Sequence, residues 1–345
     1  MTHPTDGQDF DQLFCHISTL IEGSRRQVKT AVNVAMVRTY YGVGHYIVQY
    51  EQGGNPRAAY GKEVLKRLSA RLTERYGEGW SLETLHKCIK FYNVYSKSVH
   101  SVDSFSNVLS WSHYLVLMRV ANDAERSFYE IECARQQWSV RQLQRQVGSS
   151  LYERLALSRN KEEVMRLANE GQTMEKPDDI IKNPLTLEFL GLKPQAVYTE
   201  TRLEQAIIDK MQMFLLEMGR GFLFEARQKR FTFDEEHFFV DLVFYNRLLR
   251  CYVLIDLKTD RLSHQDLGQM QMYVNYFDRY VKQDFENPTI GILLCESKND
   301  ALVELTLPKD AHIYAQQYAL YLPDKALLQS KLKAWIEEFE EAADQ

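Results

Sequence analysis

The stretch CYVLIDLKTD, residues 251–260, decides how the rest of the chain is read. The apolar run from Cys251 to Ile255 predicts a buried strand, and Asp256, Lys258 and Asp260 follow at once. Side chains alternate across a strand with period two, so Asp256 and Lys258 point to one face and Leu257 to the other. Asp260 shares their parity but lies past the expected strand end, where it reads as a turn residue. The preceding run, FFVDLVFY (238–245), holds Asp241 among apolar residues. An ionised carboxylate there is costly unless it is paired or bound to a metal. Asn246 to Leu249 form a hairpin-like turn, so the two runs are expected to pair antiparallel and bring Asp241 close to Asp256. Neighbouring carboxylates raise each other's pKa, and a divalent cation removes the repulsion. Mg²⁺ takes one or two carboxylates together with water and substrate phosphate. Lys258, on the same face, is placed to orient a water or to stabilise charge on a phosphoryl oxygen. The alternative is a buried Asp241–Lys258 ion pair with no chemistry.

Around this pair the pattern from residue 200 onward reads helix, three strands, helix, strand. ETRLEQAIIDKMQMFLLEMG (200–219) is a helix stopped by Gly219 and Gly221. GFLFEARQKRFTF (221–233) is the first strand, and SHQDLGQMQMYVNYFDRYV (263–281) a helix with Leu267, Met270, Tyr273 and Val274 on its apolar face. TIGILLCES (289–297) is a fourth strand and AHIYAQQY (311–318) a fifth. Residues 156–199 carry Pro177, Pro184 and Pro194 and read as a connecting segment.

Residues 10–155 read as helical. FDQLFCHISTLIEG (10–23) and VKTAVNVAMVRTYYGVGHYIVQY (28–50) show helical spacing, and Gly53-Gly54-Asn55-Pro56 is a break. Two further helices meet at Gly77-Glu78-Gly79-Trp80, the second capped by Ser81. Such a pair suggests helix-turn-helix. WSVRQLQRQVGSSLYERL (138–155) reads as a closing helix carrying Arg141, Arg145 and Arg154.

The net charge is −5 over 345 residues, yet residues 24–99 hold 13 Lys/Arg against 5 Asp/Glu. Such concentrated basic charge suits phosphate contact within an acidic protein. Lys62, Lys66, Arg67, Arg71, Lys87 and Lys90 are the candidates, the alternative being a helical hairpin with solvated lysines. The five cysteines are scattered without zinc spacing and are expected as free thiols. No apolar run is long enough to span a membrane, and the N-terminus lacks the pattern of a secretory signal. A cytoplasmic protein is expected.

The order Asp, then Asp-x-Lys, after a helix bearing Glu204, resembles the PD-(D/E)XK nuclease superfamily. FVDLVFYNRLLRCYVLIDLK (239–258) followed by DLGQMQMYVNYFD (266–278) resembles the YhcG family of that superfamily more closely. DDIIKNPLTLEFLGL (178–192) and LSARLTERYGEGWSLETLHKCIKFY (68–92) extend the resemblance to about residues 12–335. It implies that Asp241 and Asp256 bind metal, with Glu204 as an additional acidic ligand. It implies that Lys258 is the motif lysine, and that Gln269 faces the site. Arg227-Gln228 would line the cleft. FYNR (244–247) departs from an expected FYHR, which puts a catalytic histidine at this turn in doubt.

The resulting expectation is an α+β two-domain protein. An all-α, helix-turn-helix-like domain (10–155) binds nucleic acid or a second subunit. A linker (156–199) leads to an α/β PD-(D/E)XK domain (200–335) with an αβββαβ core. By the resemblance the protein is a Mg²⁺- or Mn²⁺-dependent nuclease acting on DNA, branched or foreign DNA among its candidate substrates, with RNA as the other candidate, and a homodimer. The rival is a catalytically inactive, nuclease-like binding or assembly module of a repair or defence system.

Overall fold

The two helical stretches expected at the N-terminus form one helix, α1 (Asp6–Gln52). Gly23 does not break it, because a mid-helix glycine costs only about 1 kcal/mol relative to alanine and no proline enforces a stop. The computed structural model describes residues 6–52, 58–97, 105–157, 161–182, 184–193, 198–233, 235–298, 300–308 and 311–343. Two compact units emerge, Met1–Gln144 and Arg145–Gln345.

In the first unit the C-terminal half of α1 packs on α3 (Leu82–Tyr95). The packing is close because position 44 is glycine: a Cβ there would meet the Cys88 carbonyl oxygen at 2.1 Å. Helix α2 (Ala58–Tyr76) precedes α3, and a 3₁₀ turn at Glu78–Trp80 separates them. Ser81 caps α3 as its position predicts, accepting the Thr84 N–H at 3.2 Å. Ile47, Leu65 and Leu85 form the core between these helices. Tyr41, Phe91, Tyr95, Phe105 and Tyr114 stack edge-on around α4 (Trp111–Leu117), and α5 (Asp123–Gln136) follows. The expected closing helix is instead two, α6 (Val140–Gly148) and α7 (Leu151–Ala156), broken where Ser150 takes φ +53°.

The second unit is built on a mixed sheet of β1 (Leu185–Thr186), β2 (Phe222–Phe233), β3 (Glu236–Asn246), β4 (Cys251–Arg261), β5 (Ile290–Ser297) and β6 (Ile313–Ala319), in the order β1-β6-β5-β4-β3-β2. β2, β3 and β4 run antiparallel. The tight turn after β3 requires this: Asn246 Oδ1 accepts the N–H groups of Leu248 (3.0 Å) and Leu249 (3.1 Å). β4, β5 and β6 run parallel because helices α11 (His264–Tyr280) and α12 (Asp300–Thr306) make the crossovers. Before the sheet, the 200–219 stretch forms two helices, α9 (Glu200–Asp209) and α10 (Met211–Met218), hinged at Lys210. Helix α13 (Lys325–Ala343) ends the chain. Leu203, Ile207, Phe214 and Met218 from α9 and α10 cover one face of the sheet, against Leu242, Phe244, Val253 and Ile255. Leu267, Met270, Tyr273 and Phe277 of α11 cover the other, against Val240, Val243 and Leu254.

The segment 156–199 is more than a linker. Helix α8 (Lys161–Glu170) lies in it, and β1 joins the sheet edge beside β6. Ile180, Leu185, Leu187 and Leu190 enter the core. Pro177 opens a 3₁₀ turn and Pro184 lies in a bend, where a missing N–H is harmless, and Pro194 lies outside the described residues. Among the described residues, no helix is long and apolar enough to cross a membrane.

Candidate active site

The backbone pairing of β3 with β4 is recorded as far as Leu242↔Ile255, one residue short of Asp241 and Asp256. The two aspartates therefore leave the core side by side, as the alternation requires. From there a side chain takes over the ladder: Asp241 Oδ2 accepts the Leu257 N–H at 2.8 Å. Asp256 is 4% exposed, while Asp241 is half-buried. Lys258 Nζ lies 2.8 Å from Asp256 Oδ2 and 3.8 Å from both Glu200 Oε1 and Asp266 Oδ1. The close ion pair thus joins Lys258 to Asp256, not to Asp241. Asp256 Oδ2 nonetheless has no hydrogen bond of regular geometry.

Burial first, and then the Asp241 charge, push the Asp256 carboxyl up to about 7, although Lys258 pulls it down. Burial alone would lower the Lys258 ammonium, but Asp256, with Glu200 and Asp266 further off, holds it above its ordinary value. Glu200 is raised by burial and by Asp241, Asp266 and Asp260, against Lys258. The cluster carries more negative charge than its one lysine offsets.

Gln228 completes the pair. It stands opposite Asp241 in the β2–β3 ladder, between Arg227↔Leu242 and Lys229↔Val240, with φ +46°. A non-glycine residue in that region is strained, and such strain collects at functional sites. Its amide donates to Asp241 Oδ1 at 2.8 Å and also to Glu204. Glu204, buried on α9, is further held by Arg227, which also donates to Gln205 at 2.8 Å. Glu204 is therefore one side chain removed from the aspartates, and its carboxylate is engaged by two donors. Among the described residues, no group of three or more His, Cys, Asp or Glu is arranged to hold a metal ion. Asp241 and Asp256 alone fit a hard cation: two adjacent carboxylates, one oxygen without a directed hydrogen bond, and too few cations nearby.

Gln269, on α11, hydrogen-bonds Tyr273, whose hydroxyl is held above its ordinary value by burial and by the Asp256 and Asp241 charges. Tyr273, read from sequence only as a core residue, thus faces the site. Asp266 caps α11, its Oδ2 accepting from Ser263 Oγ at 2.6 Å and leaving Oδ1 toward Lys258. Glu200, Asp266 and Tyr273 were missed because nothing in their spacing separates them from a helix surface, a cap and a core position. β4 runs on to Arg261, so Asp260 is an exposed strand residue and not part of a turn. Asn246 is buried at the other end of β3, about 17 Å from Asp241 at the ordinary strand rise, and caps the turn. A histidine in its place would lie far from this chemistry.

In the first unit, Lys66, Arg67 and Arg71 are exposed on α2 and Lys90 on α3. Lys87 pairs with Glu83 at 2.5 Å, and the Lys62 side chain lies outside the described residues. Arg67 and Arg71 border a groove of about 400 Å³ shared with Tyr46 and Tyr50 of α1. Arg145 and Arg154 of the expected closing helix turn inward and pair with Glu217, Arg154 fully buried and Arg145 partly so.

Comparison with known proteins follows the division of the chain. Residues 178–333 match the YhcG PDDEXK nuclease domain, and residues 16–154 match the DUF1016 N-terminal domain. A protein of Escherichia coli (strain K12) named "Putative nuclease YhcG" is 36% identical over 94% of this chain and 93% of its own length. Among solved structures, a repair endonuclease from Pyrococcus abyssi shares 17% identity, with a TM-score of 0.25, over 38% of this chain and 50% of its own. A chain of an EndoMS–dsDNA2 complex shares 15%, with a TM-score of 0.26, over 39% and 51%. The chain spans about half the length of these two.

Proposed function

We propose, on the premise that this chain belongs to the YhcG family of PDDEXK nucleases, that it is a divalent-metal-dependent nuclease hydrolysing phosphodiester bonds in DNA, acting in the cytoplasm. One observation carries this reading: Asp256 is buried beside Asp241, and among the described residues Lys258 is the one cation paired with it. Asp241 and Asp256 would hold Mg²⁺ or Mn²⁺, which supplies a Lewis acid for the phosphoryl oxygen and acidifies a bound water. The Leu257 N–H and the Gln228 amide fix the Asp241 carboxylate from two sides. Lys258, held charged by Asp256, is positioned to stabilise negative charge developing on the phosphate. Glu204 holds Arg227 and Gln228 in place, and so acts as a positioning residue and not as a metal ligand.

The first unit supplies the nucleic-acid contact. Lys66, Arg67, Arg71 and Lys90 would meet phosphates without reading sequence. Tyr46, 72% exposed beside Arg67 and Arg71, offers a face on which an unpaired base stacks, which favours branched or frayed DNA as substrate.

The test is cleavage of labelled linear, single-stranded, supercoiled and four-way branched DNA with Mg²⁺, Mn²⁺ or EDTA. Metal-dependent cutting that disappears in Asp241→Ala and Asp256→Ala supports the nuclease. Binding that persists in both variants, with no cutting of any substrate by the parent protein, would replace it with a binding module.

A further inference from the structure

Helix α1 leaves its N-terminal half bare. From Phe10 to Val32 every residue is exposed except Ser18 and Gly23, which are intermediate. Along it Phe10, Leu13, Phe14, Ile17, Leu20 and Ile21 recur at spacings of three and four and lie on one stripe, which Val28 and Val32 continue. Phe10 is 66% and Leu20 70% exposed. At 1.5 Å per residue the stripe is about 33 Å long. The opposite face carries Gln12, Thr19, Glu22, Arg26 and Asn33. An apolar stripe of this length on a polar-backed helix is an association surface; water does not favour leaving it uncovered.

The charges say what covers it. Asp11 lies near the start of the stripe, and Arg25 and Lys29 about four turns later on the same flank. A second copy laid antiparallel about a centre near residue 19 sets Asp11 of each chain between Arg25 and Lys29 of the other, on the same flank of the stripe. The same register sets Phe10 against Val28 and Ile17 against Ile21. A parallel copy would set aspartate on aspartate and arginine on arginine, which repel. We propose that residues 10–32 of α1 form an antiparallel two-helix interface with a second copy of this chain. This inference is independent of the catalytic reading and would stand if no cleavage were found.

The full chain is examined by sedimentation velocity across a concentration series. A dimer is expected, and a monomer at tens of micromolar would overturn the proposal in favour of a stripe covered within its own chain. Ile17→Glu with Leu20→Glu is expected to give monomers with an unchanged far-ultraviolet circular dichroism spectrum. A dimer persisting in that variant would place the interface elsewhere. Arg25→Glu and Lys29→Glu together change only exposed charges, so folding is preserved. They are expected to raise the dimer dissociation constant at least tenfold at low salt. Adding Asp11→Lys to that chain is expected to restore dimerisation, because both partners of each pair are then reversed. Failure of the rescue would overturn the antiparallel pairing. Orientation is read directly by mixing Phe10→Cys and Val28→Cys chains in a Cys15→Ser background. Disulfides between unlike chains are expected to predominate, and disulfides between like chains would establish the parallel arrangement instead.

Discussion

Two buried charge clusters sit in the second unit, and they are opposites. Around Glu217, on α10, the buried carboxylate is fully partnered. Arg154 donates to its carboxylate at 2.5 Å, Arg145 at 2.7 Å and the Thr186 N–H at 3.1 Å. Lys182 reaches its carbonyl oxygen. Burial would raise Glu217, but the Arg154, Arg145 and Lys182 cations hold it down to about 2. Around Asp256 charge is unbalanced: two aspartates and Glu200 share one lysine, and the carboxyl rises to about 7. The first cluster is complete and ties α6, α7, α10 and β1 together. The second is complete only when a cation joins it, and a group held away from its stable state is a mark of function rather than of structure.

The contrast breaks most visibly in activity. Asp241→Ala and Asp256→Ala are each expected to lower cleavage at least ~10³-fold, about 4 kcal/mol of transition-state stabilisation, without unfolding the protein. A cleavage assay paired with thermal melting checks both halves. Glu217→Ala should do the reverse, costing about 3–5 kcal/mol of stability because the fully buried Arg154 loses its carboxylate, while Arg145 keeps Glu188. Denaturant unfolding measures this, and a loss under 1 kcal/mol would mean that the cluster is not structural.

The two clusters also titrate in opposite senses. The folded pKa of Glu217 lies below its ordinary value of 4.5, so its contribution is present above about pH 4.5 and fades as pH falls toward 2. Asp256 lies above its ordinary value of 3.8, so the metal-free protein loses stability as pH rises from about 4 through 7. Asp256→Asn should therefore stabilise the metal-free protein at pH 8 by about 2 kcal/mol, and not at pH 4. Melting curves in EDTA at the two pH values would show it, and an equal effect at both would remove the electrostatic explanation. Adding Mg²⁺ at 100 times its dissociation constant should stabilise the parent protein at pH 8 by about 2.7 kcal/mol, and Asp256→Asn far less. The smallest effect expected is that of Gln228→Ala. It removes one of two donors to Asp241 and should slow cleavage about tenfold, roughly 1.4 kcal/mol.

What the sequence discloses follows the same contrast. Asp241 and Asp256 are legible because a charge inside an apolar strand contradicts its surroundings. The strands themselves are legible from β-branched and aromatic runs, and β2, β3, β4 and β5 stand where those runs do. Glu217 is invisible, since a glutamate late in a helix looks solvated until Arg145 and Arg154 arrive from elsewhere in the chain. Gln228 reads from sequence only as part of a cleft wall, because its left-handed backbone comes from the ladder and not from the residue. The proline-marked segment 156–199 read as a linker because a two-residue strand carries no periodicity. Tyr273 read as core, correctly, and its second aspect depends on which carboxylates face its hydroxyl.

β2 is the last strand of the sheet and stays unpaired along its outer side among the described residues. Long straight edges of this kind recruit other strands and seed aggregates. This one carries Glu225, Arg227, Lys229 and Arg230, shifts register between Phe224 and Ala226, and kinks at Gln228. The kink that aims an amide at Asp241 also makes the edge a poor template, so the residue that shapes the catalytic pair helps to keep the protein from polymerising through its sheet.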